Sequence, residues 1–431
     1  MNMMSLSLYR AATYAGYPLI AAYLAYRKAK GKEDLERFPE RLGYSSKPRP
    51  EGRLVWIHGA SVGETLSILP LVSALLETYP DVSVLVTSGT VTSANLMEKR
   101  LPARAFHQYI PVDCVSCVKR FVDHWKPDLA LWIESEFWPN MLSAVAEAKI
   151  PLILLNGRIS DRSFARWKKM PKFSGQIQAL FTESFGQTDA DADRLKILGA
   201  KKTACVGNLK FAASDLPYDA EEFKRLSAKI GARPCWIAAS THAGEDEPVA
   251  YAHTELRKKI PDVFTILAPR HPQRADEIEG VLKSWDLNVS RRSRGDEITD
   301  QTDVYLADTI GEMGLFYRLA SAAFVGGSLI QFGGQNIIEP AKLGKAVLCG
   351  PYMMNFKEIT ARAKAADALT VVENKEQLVQ ALETLLTNQE ELEAKQKNAL
   401  AFATAESNVL ERVMSALEPY LKPAEEVKDA D

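Results

Sequence analysis

The sequence lacks the features that are typical of disulfide-stabilised proteins and of proteins that bind nucleic acid. Its five cysteines are scattered and odd in number, which indicates a reducing compartment rather than a disulfide framework. Cys114 and Cys117 form a C-x-x-C pair, but no second pair or histidine cluster lies nearby, so we interpret them as packing residues. The 53 basic residues nearly balance the 55 acidic ones, and the net charge of −2 predicts no general attraction to nucleic acid.

Motifs for cofactors are also missing. The sequence contains no P-loop and no His-x-x-x-His pair. It therefore indicates no bound metal and no cofactor. Any phosphate group must be bound by local side chains and backbone groups.

An apolar run near the N-terminus is short. Residues 11–26 are apolar and rich in tyrosine, and four cations follow between positions 27 and 32. Such a run is marginal against the roughly 20 residues that span a bilayer, and no cleavage pattern of a signal peptide follows it. We expect residues 1–30 to form a retained membrane anchor, with the main body on the cytoplasmic side because of the trailing cations. The alternative is a helix packed on the first domain.

From residue 53 onward, short apolar strands alternate with amphipathic helices. This alternation predicts an α/β fold of βαβ units, with parallel sheets covered on both faces. A chain of 431 residues exceeds what one core usually supports, so we expect two Rossmann-like domains, over 31–211 and 212–400, facing a ligand cleft. A closing helix and a polar tail are expected over 401–431.

Three individual elements are predicted from the apolar pattern. They are one helix over 65–79, a strand over 179–182 and one long helix over 390–420.

The stretch 325–351 gives a strong indication of a ligand site. Glycines follow an apolar strand and would let backbone N–H groups approach a ligand, and a helix is expected to begin near Asn336. Glu339, in the first turn of that helix, could accept hydrogen bonds from two ribose hydroxyls. A carboxylate that simply stabilises the helix dipole is an equally good interpretation.

Glu64 is the candidate general base. It follows a buried strand in the segment HGASVGET, residues 58–65, where the N–H groups of a helix N-terminus should keep its carboxylate ionised. An ionised carboxylate can accept a proton from an attacking hydroxyl. A capping box with Ser61 as the N-cap residue explains the same pattern. The glycines Gly59 and Gly63 favour the functional interpretation, because a plain cap does not require them.

Further polar groups follow other strands of the predicted sheets. In the first domain, Glu134 and Glu136 stand beside two aromatic residues at the end of the strand 129–133, which is plausible for a sugar-facing site. Lys210, near the domain junction, could reach a leaving phosphate. A basic loop with interleaved aromatic residues suggests contacts with phosphate and lipid. This loop contains Arg158, Lys168 and Lys169.

In the second domain, a Pro-Arg turn follows a strand. Arg270, after Pro269, would project a planar guanidinium that suits a phosphate or a carboxylate. The segment Gly311, Glu312 and Met313 precedes another helix and offers a second helix N-terminus to a base, ribose or phosphate.

Taken together, these segments resemble the 3-deoxy-D-manno-octulosonic acid (Kdo) transferases, membrane-associated glycosyltransferases of the GT-B fold. The resemblance extends over roughly residues 30 to 360, in the order of the family. The matching segments are WIHGASVGET (56–65), VTSGTVTSA (86–94), LALWIESEFWPN (129–140), LLNGRIS (154–160), GNLKF (207–211), PRHPQR (269–274) and GGSLIQFGGQNIIEPAKLGKAVLCGP (326–351).

The resemblance implies CMP-Kdo as donor and lipid IVA, a lipid A precursor, as acceptor, in lipopolysaccharide biosynthesis at the cytoplasmic face of the inner membrane. It implies an inverting, metal-independent reaction with Glu64 as general base and with Glu134 and Lys210 as stabilisers of the transition state. The implied CMP contacts are Pro269, Arg270, Gly311, Glu312, Met313, Asn336, Ile337, Ile338 and Glu339. Ser61, Gly63, Arg158, Lys168 and Lys169 are candidate contacts of the acceptor or of Kdo.

Two alternatives remain at this point. The chain could be another two-domain transferase or epimerase that uses a UDP-sugar. It could also be a membrane-tethered sensor that binds a nucleotide sugar without turnover, although pure binding does not require a carboxylate at a helix start.

Overall fold

The computed structural model describes residues 5–212, 216–405 and 407–422, which divide into two compact units. The first unit contains the residues up to 212 together with 407–422, and the second contains residues 216–405. Each unit is built on its own parallel sheet of seven strands. The predicted α/β class with two parallel-sheet units is therefore confirmed.

The first unit has the strand order β3-β2-β1-β4-β5-β6-β7, with every neighbouring pair parallel. Its strands are β1 (Arg53–His58), β2 (Val82–Ser88), β3 (Ala105–Tyr109), β4 (Leu129–Ile133), β5 (Leu152–Gly157), β6 (Glu183–Gly186) and β7 (Thr203–Cys205). The order reverses between β1 and β4. In open α/β sheets, ligands bind outside the carboxyl ends of the strands at such a reversal.

The second unit has the order β10-β11-β9-β8-β12-β13-β14, again with every pair parallel. Its strands are β8 (Cys235–Thr241), β9 (Phe264–Pro269), β10 (Val289–Arg291), β11 (Val304–Leu306), β12 (Ala322–Val325), β13 (Ala346–Cys349) and β14 (Thr370–Val371). Here the order reverses between β8 and β12. The loops that follow these two strands should therefore form the ligand site of this unit.

Nineteen α-helices connect and cover the strands in the described ranges. In the first unit they are α1 (Leu6–Ala15), α2 (Tyr17–Ala29), α3 (Val62–Ser67), α4 (Leu69–Thr78), α5 (Val91–Arg100), α6 (Val115–Trp125), α7 (Pro139–Glu147), α8 (Asp161–Lys168), α9 (Pro171–Gln178) and α10 (Asp189–Ile197). The others are α11 (Ala220–Ile230), α12 (Asp246–Arg257), α13 (Ala275–Ser284), α14 (Met313–Leu319), α15 (Ile338–Lys342), α16 (Lys357–Ala365), α17 (Lys375–Thr387), α18 (Gln389–Thr404) and α19 (Val409–Leu421).

The core of the first unit lies on both faces of its sheet. Successive residues of β1 alternate between the faces: Val55 and Ile57 pack with α4 and α19, whereas Leu54 and Trp56 pack with α6 and α7. This alternation is what a strand buried on both sides requires. Because α19 supplies part of this core, the C-terminal helix belongs to the first unit.

The N-terminal run folds as two helices rather than one. Gly16 separates α1 from α2, and the first turn of α2 contains Pro18, whose missing N–H is tolerated only there. Helix α1 is docked on the first unit: the Tyr9 hydroxyl donates to Asp113 at 3.0 Å, and Asn140 donates to the Thr13 hydroxyl at 2.9 Å. Within the described ranges, no helix combines the length and the apolar character that crossing a bilayer demands.

Three predicted elements are wrong in detail. The helix expected over 65–79 is interrupted at Ile68, because Pro70 cannot continue a helix and lies in the first turn of a new one that begins at Leu69. The strand expected over 179–182 is the turn that ends α9, and β6 begins at Glu183. The helix expected over 390–420 is two helices, α18 and α19, that belong to different units. The predicted polar tail, 423–431, lies outside the described residues.

Candidate active site

Glu64 lies at the strand reversal of the first unit, in the first turn of α3, directly after β1. Its carboxylate accepts hydrogen bonds from the Ala60 N–H and from the Ser61 hydroxyl, each at 2.7 Å. The Ser61 side chain in turn accepts from the Glu64 N–H at 3.3 Å, so the two residues form a variant of the capping box in which the carboxylate bonds to the N–H of Ala60 rather than to that of Ser61. Gly59 allows a close approach here, because a Cβ at that position would lie only 3.3 Å from the Glu64 Cβ.

The same side chain also lines a pocket of about 450 Å³ in the first unit. The residues Ile20, Tyr23 and Leu24 of α2 give this pocket an apolar lining. Arg27 and Arg41 also line it, and both pair with the Glu33 carboxylate, at 2.6 and 3.4 Å. The other lining residues are Ala60, Ser61, Gly89, Thr90, Val112, Glu136 and Trp138. The capping box and the pocket are thus compatible: Glu64 is held by its helix start while it faces a space large enough for part of a substrate.

Burial raises the pKa of Glu64, and the nearby charge of Glu134 raises it further. The hydrogen bonds from Ser61 and Ala60 lower the pKa but do not outweigh burial. The helix start was expected to favour the charged form of this carboxylate, and its hydrogen bonds do act in that direction, but loss of solvent has the larger effect on its pKa. A carboxylate with a raised pKa is a stronger base, which suits proton abstraction.

Glu134 and Lys210 form a second charged group in this unit. Glu134 follows β4 with a left-handed backbone, φ +58°, a conformation that costs a non-glycine residue about 1–2 kcal/mol. Such strain is concentrated at functional sites. The Lys210 ammonium lies 3.4 Å from the Glu134 carboxylate. The buried side chain of Asn156 accepts from the Leu209 N–H at 3.0 Å and so fixes the turn that carries Lys210.

The remaining predicted residues of the first unit are spread more widely. Ser61 and Gly63 belong to the capped turn of Glu64. The Arg158 N–H donates to the Ser135 hydroxyl at 3.1 Å, which ties the loop after β5 to the loop after β4. Lys168 and Lys169 are exposed at the end of α8, outside the pocket lining.

In the second unit, Arg270 and Glu339 interact. Pro269 ends β9, and the exposed side chain of Arg270 follows it. Burial raises the pKa of Glu339, whereas the hydrogen bond from Asn336 and, to a smaller extent, the positive charge of Arg270 lower it. The Asn336 amide donates to the Glu339 carboxylate at 3.2 Å. Helix α15 begins two residues later than expected, at Ile338, and both Ile337 and Ile338 are buried.

Glu312 is already engaged within the protein. Its carboxylate accepts from the Arg292 guanidinium at 2.6 and 3.1 Å, and this ion pair lowers its pKa. Helix α14 starts at Met313, and Gly311 has a left-handed backbone with φ +93°. Any contact of Glu312 with a nucleotide would therefore come from its backbone rather than from a free carboxylate.

Several residues of these sites carry no recognisable signal in the sequence. Arg27 and Arg41 line the Glu64 pocket, although they precede the first strand. Glu245 connects two loops of the second unit that are more than 80 residues apart in the chain.

In the described parts of the chain, no three His, Cys, Asp or Glu side chains converge as metal ligands would.

Comparison with known proteins decides the family. Residues 36–213 match the family model described as 3-deoxy-D-manno-octulosonic-acid transferase. The chain is also 35% identical over 405 residues to the 3-deoxy-D-manno-octulosonic acid transferase of Rickettsia bellii, covering 94% of this chain and 96% of that one. The chain belongs to the Kdo transferase family. It is therefore an enzyme, a glycosyltransferase.

Comparison with solved structures shows which other proteins resemble this Kdo transferase in fold. UDP-GlcNAc 2-epimerase from Neisseria meningitidis superposes with a TM-score of 0.58 at 14% identity, covering 84% of this chain and all of that one, so the two share a fold. The C-terminal CMP-Kdo binding domain of WaaA from Acinetobacter baumannii is 32% identical, with a TM-score of 0.40, covering 42% of this chain and 98% of that one.

Proposed function

We propose that this Kdo transferase moves Kdo from CMP-Kdo to lipid IVA with inversion at the anomeric carbon and without a metal ion. The observation that carries the proposal is Glu64, a carboxylate of raised pKa in a pocket lined by apolar residues of α2 and by two arginines that pair with Glu33. The acyl chains of the acceptor suit the apolar lining, and its phosphates would compete with Glu33 for the two arginines. The proposal also assigns the fold to the GT-B class.

Glu64 acts as the general base. It takes the proton of the acceptor hydroxyl, the hydroxyl oxygen bonds to the anomeric carbon of Kdo, and the bond from that carbon to the CMP oxygen breaks. Attack opposite the leaving group inverts the centre. Glu134 stabilises the positive charge that develops on the sugar, and Lys210 the negative charge on the leaving phosphate.

The second unit binds CMP. Arg270 pairs with the phosphate, and Glu339, oriented by Asn336, accepts the ribose hydroxyls. The backbone of residues 311–313 contacts the base, and Pro269, Ile337 and Ile338 shape the site. Ser61, Gly63 and Arg158 contact the acceptor or Kdo.

The decisive experiment is mass spectrometry of the product formed from CMP-Kdo and lipid IVA, with and without a chelator. We expect the acceptor to gain the mass of one or more Kdo residues in both conditions, and NMR to show inverted anomeric configuration. Product formed only from UDP-sugars would refute the donor, retention would refute the stereochemistry, and loss of product in chelator would refute metal independence.

The charge of Glu134 should be visible in the pH dependence of activity. Because Glu64 must be deprotonated to act and its pKa is raised, activity should fall on the acid side at a pH above the ordinary glutamate value of about 4.3. Glu134→Gln removes a negative charge that raises this pKa, so the acid limb should move to lower pH, whatever happens to the maximal rate. A pH–rate profile of both proteins tests this. An unmoved limb would contradict the coupling.

We further propose that helix α2 attaches the enzyme to the cytoplasmic face of the inner membrane. Leu19, Tyr23 and Tyr26 expose 78%, 61% and 58% of their surface, and cations follow them at positions 27 to 32. Exposed apolar side chains beside cations favour the interface of an anionic bilayer. The exposed Lys168 and Lys169 add positive charge to the same unit.

Vesicle sedimentation tests this attachment. The double variant Leu19→Ser/Tyr26→Ser, which leaves the lining of the Glu64 pocket intact, should bind vesicles containing anionic lipid at least about tenfold more weakly than the parent, because two apolar side chains no longer enter the bilayer. The control is Ile197→Ser, which removes a side chain of 63% exposure on α10. Equal binding of all three proteins would show that α2 is not the attachment site.

A further inference from the structure

Glu245 is a fully buried carboxylate between β8 and α12. It is the N-cap residue of α12, yet its side chain does not cap that helix. Instead, one carboxylate oxygen accepts from the N–H groups of His242 at 3.0 Å and Gly327 at 2.6 Å. The other accepts from Ser328 at 2.9 Å and Leu329 at 3.0 Å. Four backbone N–H groups thus compensate the charge of this carboxylate.

These hydrogen bonds join the two loops that flank the strand reversal of the second unit. His242 follows β8, and residues 327–329 follow β12. The approach is so close that only glycine fits at position 326: a Cβ there would lie 2.7 Å from the Thr241 Cα and 2.9 Å from the Glu245 carboxylate. Gly326 is therefore needed for close packing of the two loops at least as much as for contact with a ligand.

The loop that Glu245 holds leads directly to the residues assigned to the nucleotide. Gly334 donates to the Gly327 carbonyl at 2.7 Å, which closes the loop on itself. At its far end, the Gln335 amide lies 3.1 Å from the His242 ring nitrogen, and the Phe332 ring lies 3.7 Å from the His242 ring. Asn336 and Glu339 follow within four residues of Gln335. A shift of residues 327–329 would consequently displace the start of α15.

We propose that Glu245 is a positioning residue of the donor site, which fixes residues 326–335 so that Asn336 and Glu339 meet the nucleotide. The inference rests on the proposed function, in which the second unit binds CMP. A glutamine at this position keeps the size of the side chain but turns an NH₂ group toward N–H groups that need an acceptor. Loss of a charged hydrogen-bond acceptor inside a protein is costly, and here the loop can relieve the cost by moving.

The test measures CMP affinity by calorimetry, the KM of each substrate, and the unfolding temperature. Glu245→Gln should weaken CMP binding by about 10- to 100-fold and raise the KM for CMP-Kdo while leaving the KM for lipid IVA unchanged. The matched control is Glu247→Gln, an exposed carboxylate in the first turn of α12, which should behave as the parent. The comparator is Arg270→Ala, which should also weaken CMP binding.

A rescue experiment distinguishes positioning from a general loss of structure. Glu245→Ala leaves a space lined by four N–H groups, so added formate should restore CMP affinity, whereas chloride at equal ionic strength should not. A purely structural defect would raise the KM of both substrates together, and that outcome would overturn the proposal. Failure of both variants to fold, even in formate, would likewise overturn it in favour of a role in stability.

The remaining outcomes separate the inference from the proposed function. Normal CMP affinity in folded Glu245→Gln, with weakened binding in Arg270→Ala, would overturn the role of Glu245 and leave the donor site intact. Normal affinity in both variants, or no binding of CMP by the parent, would overturn the donor site and with it the inference.

Discussion

Glu64→Gln should lower kcat by about 10²–10⁴-fold while CMP affinity stays close to that of the parent, since a general base contributes that much to the rate. Glutamine can still accept one of the two hydrogen bonds that Ala60 and Ser61 donate to Glu64. The turn should therefore persist, with a stability loss of about 1 kcal/mol or less at the helix start. Single-turnover measurements with saturating substrates would isolate the chemical step.

The controls for Glu64→Gln come from the same unit. Glu98→Gln removes an exposed carboxylate from α5 and should leave turnover unchanged. Glu136 lines the same pocket, and its carboxylate accepts from the Trp138 indole at 3.2 Å. If Glu136→Gln lost turnover to the extent predicted for Glu64→Gln, while Glu64→Gln itself turned over normally, the general base would be Glu136 instead.

The central strands were predictable from the sequence because they are short apolar runs buried on both faces, whereas the edge strands β7 and β14 are not fully buried. The bounds predicted for β4, 129–133, agree with the structure. The same rule failed at 179–182, where the run Ala-Leu-Phe-Thr is just as apolar. There, Phe181 is buried at the end of α9 rather than in a strand, and no local signal separates the two cases.

The place of a candidate site residue in the fold was predictable where its motif directly follows a strand. Glu64, Glu134 and Arg270 all do so, and strand order brings the first two to one reversal point. Glu245 also follows a strand, but its role depends on N–H groups 82 to 84 residues further along the chain. Pairings at that range arise from tertiary structure, so the sequence could not reveal them.

The pKa of Glu64 shows the same limit. A helix start predicts an ionised carboxylate, and the N–H group of Ala60 does lower the pKa. The opposing effects come from burial and from Glu134, which is 70 residues away in the sequence. Only the folded chain decides which effect is larger.

Lys210→Met should lower kcat by about 10²–10³-fold, the usual cost of removing one preorganised stabilising group from an active site. The methionine keeps much of the length of the lysine stem but removes the ammonium that lies 3.4 Å from Glu134. Because this charge is assigned to the leaving phosphate in the transition state, the KM for CMP-Kdo should change much less than kcat. Steady-state kinetics with both substrates varied would measure the two effects.

A lysine elsewhere in the first unit provides the control for Lys210→Met. Lys202 pairs with Glu183 at 3.3 Å and is 71% exposed, so Lys202→Met removes the same charge from the surface and should leave kcat unchanged. Lys210→Arg should recover only part of the activity, because a planar guanidinium does not reproduce a compact ammonium. Turnover of Lys210→Met within about threefold of the parent would remove Lys210 from the transition state, since a preorganised charge that touches the leaving group is worth far more than that.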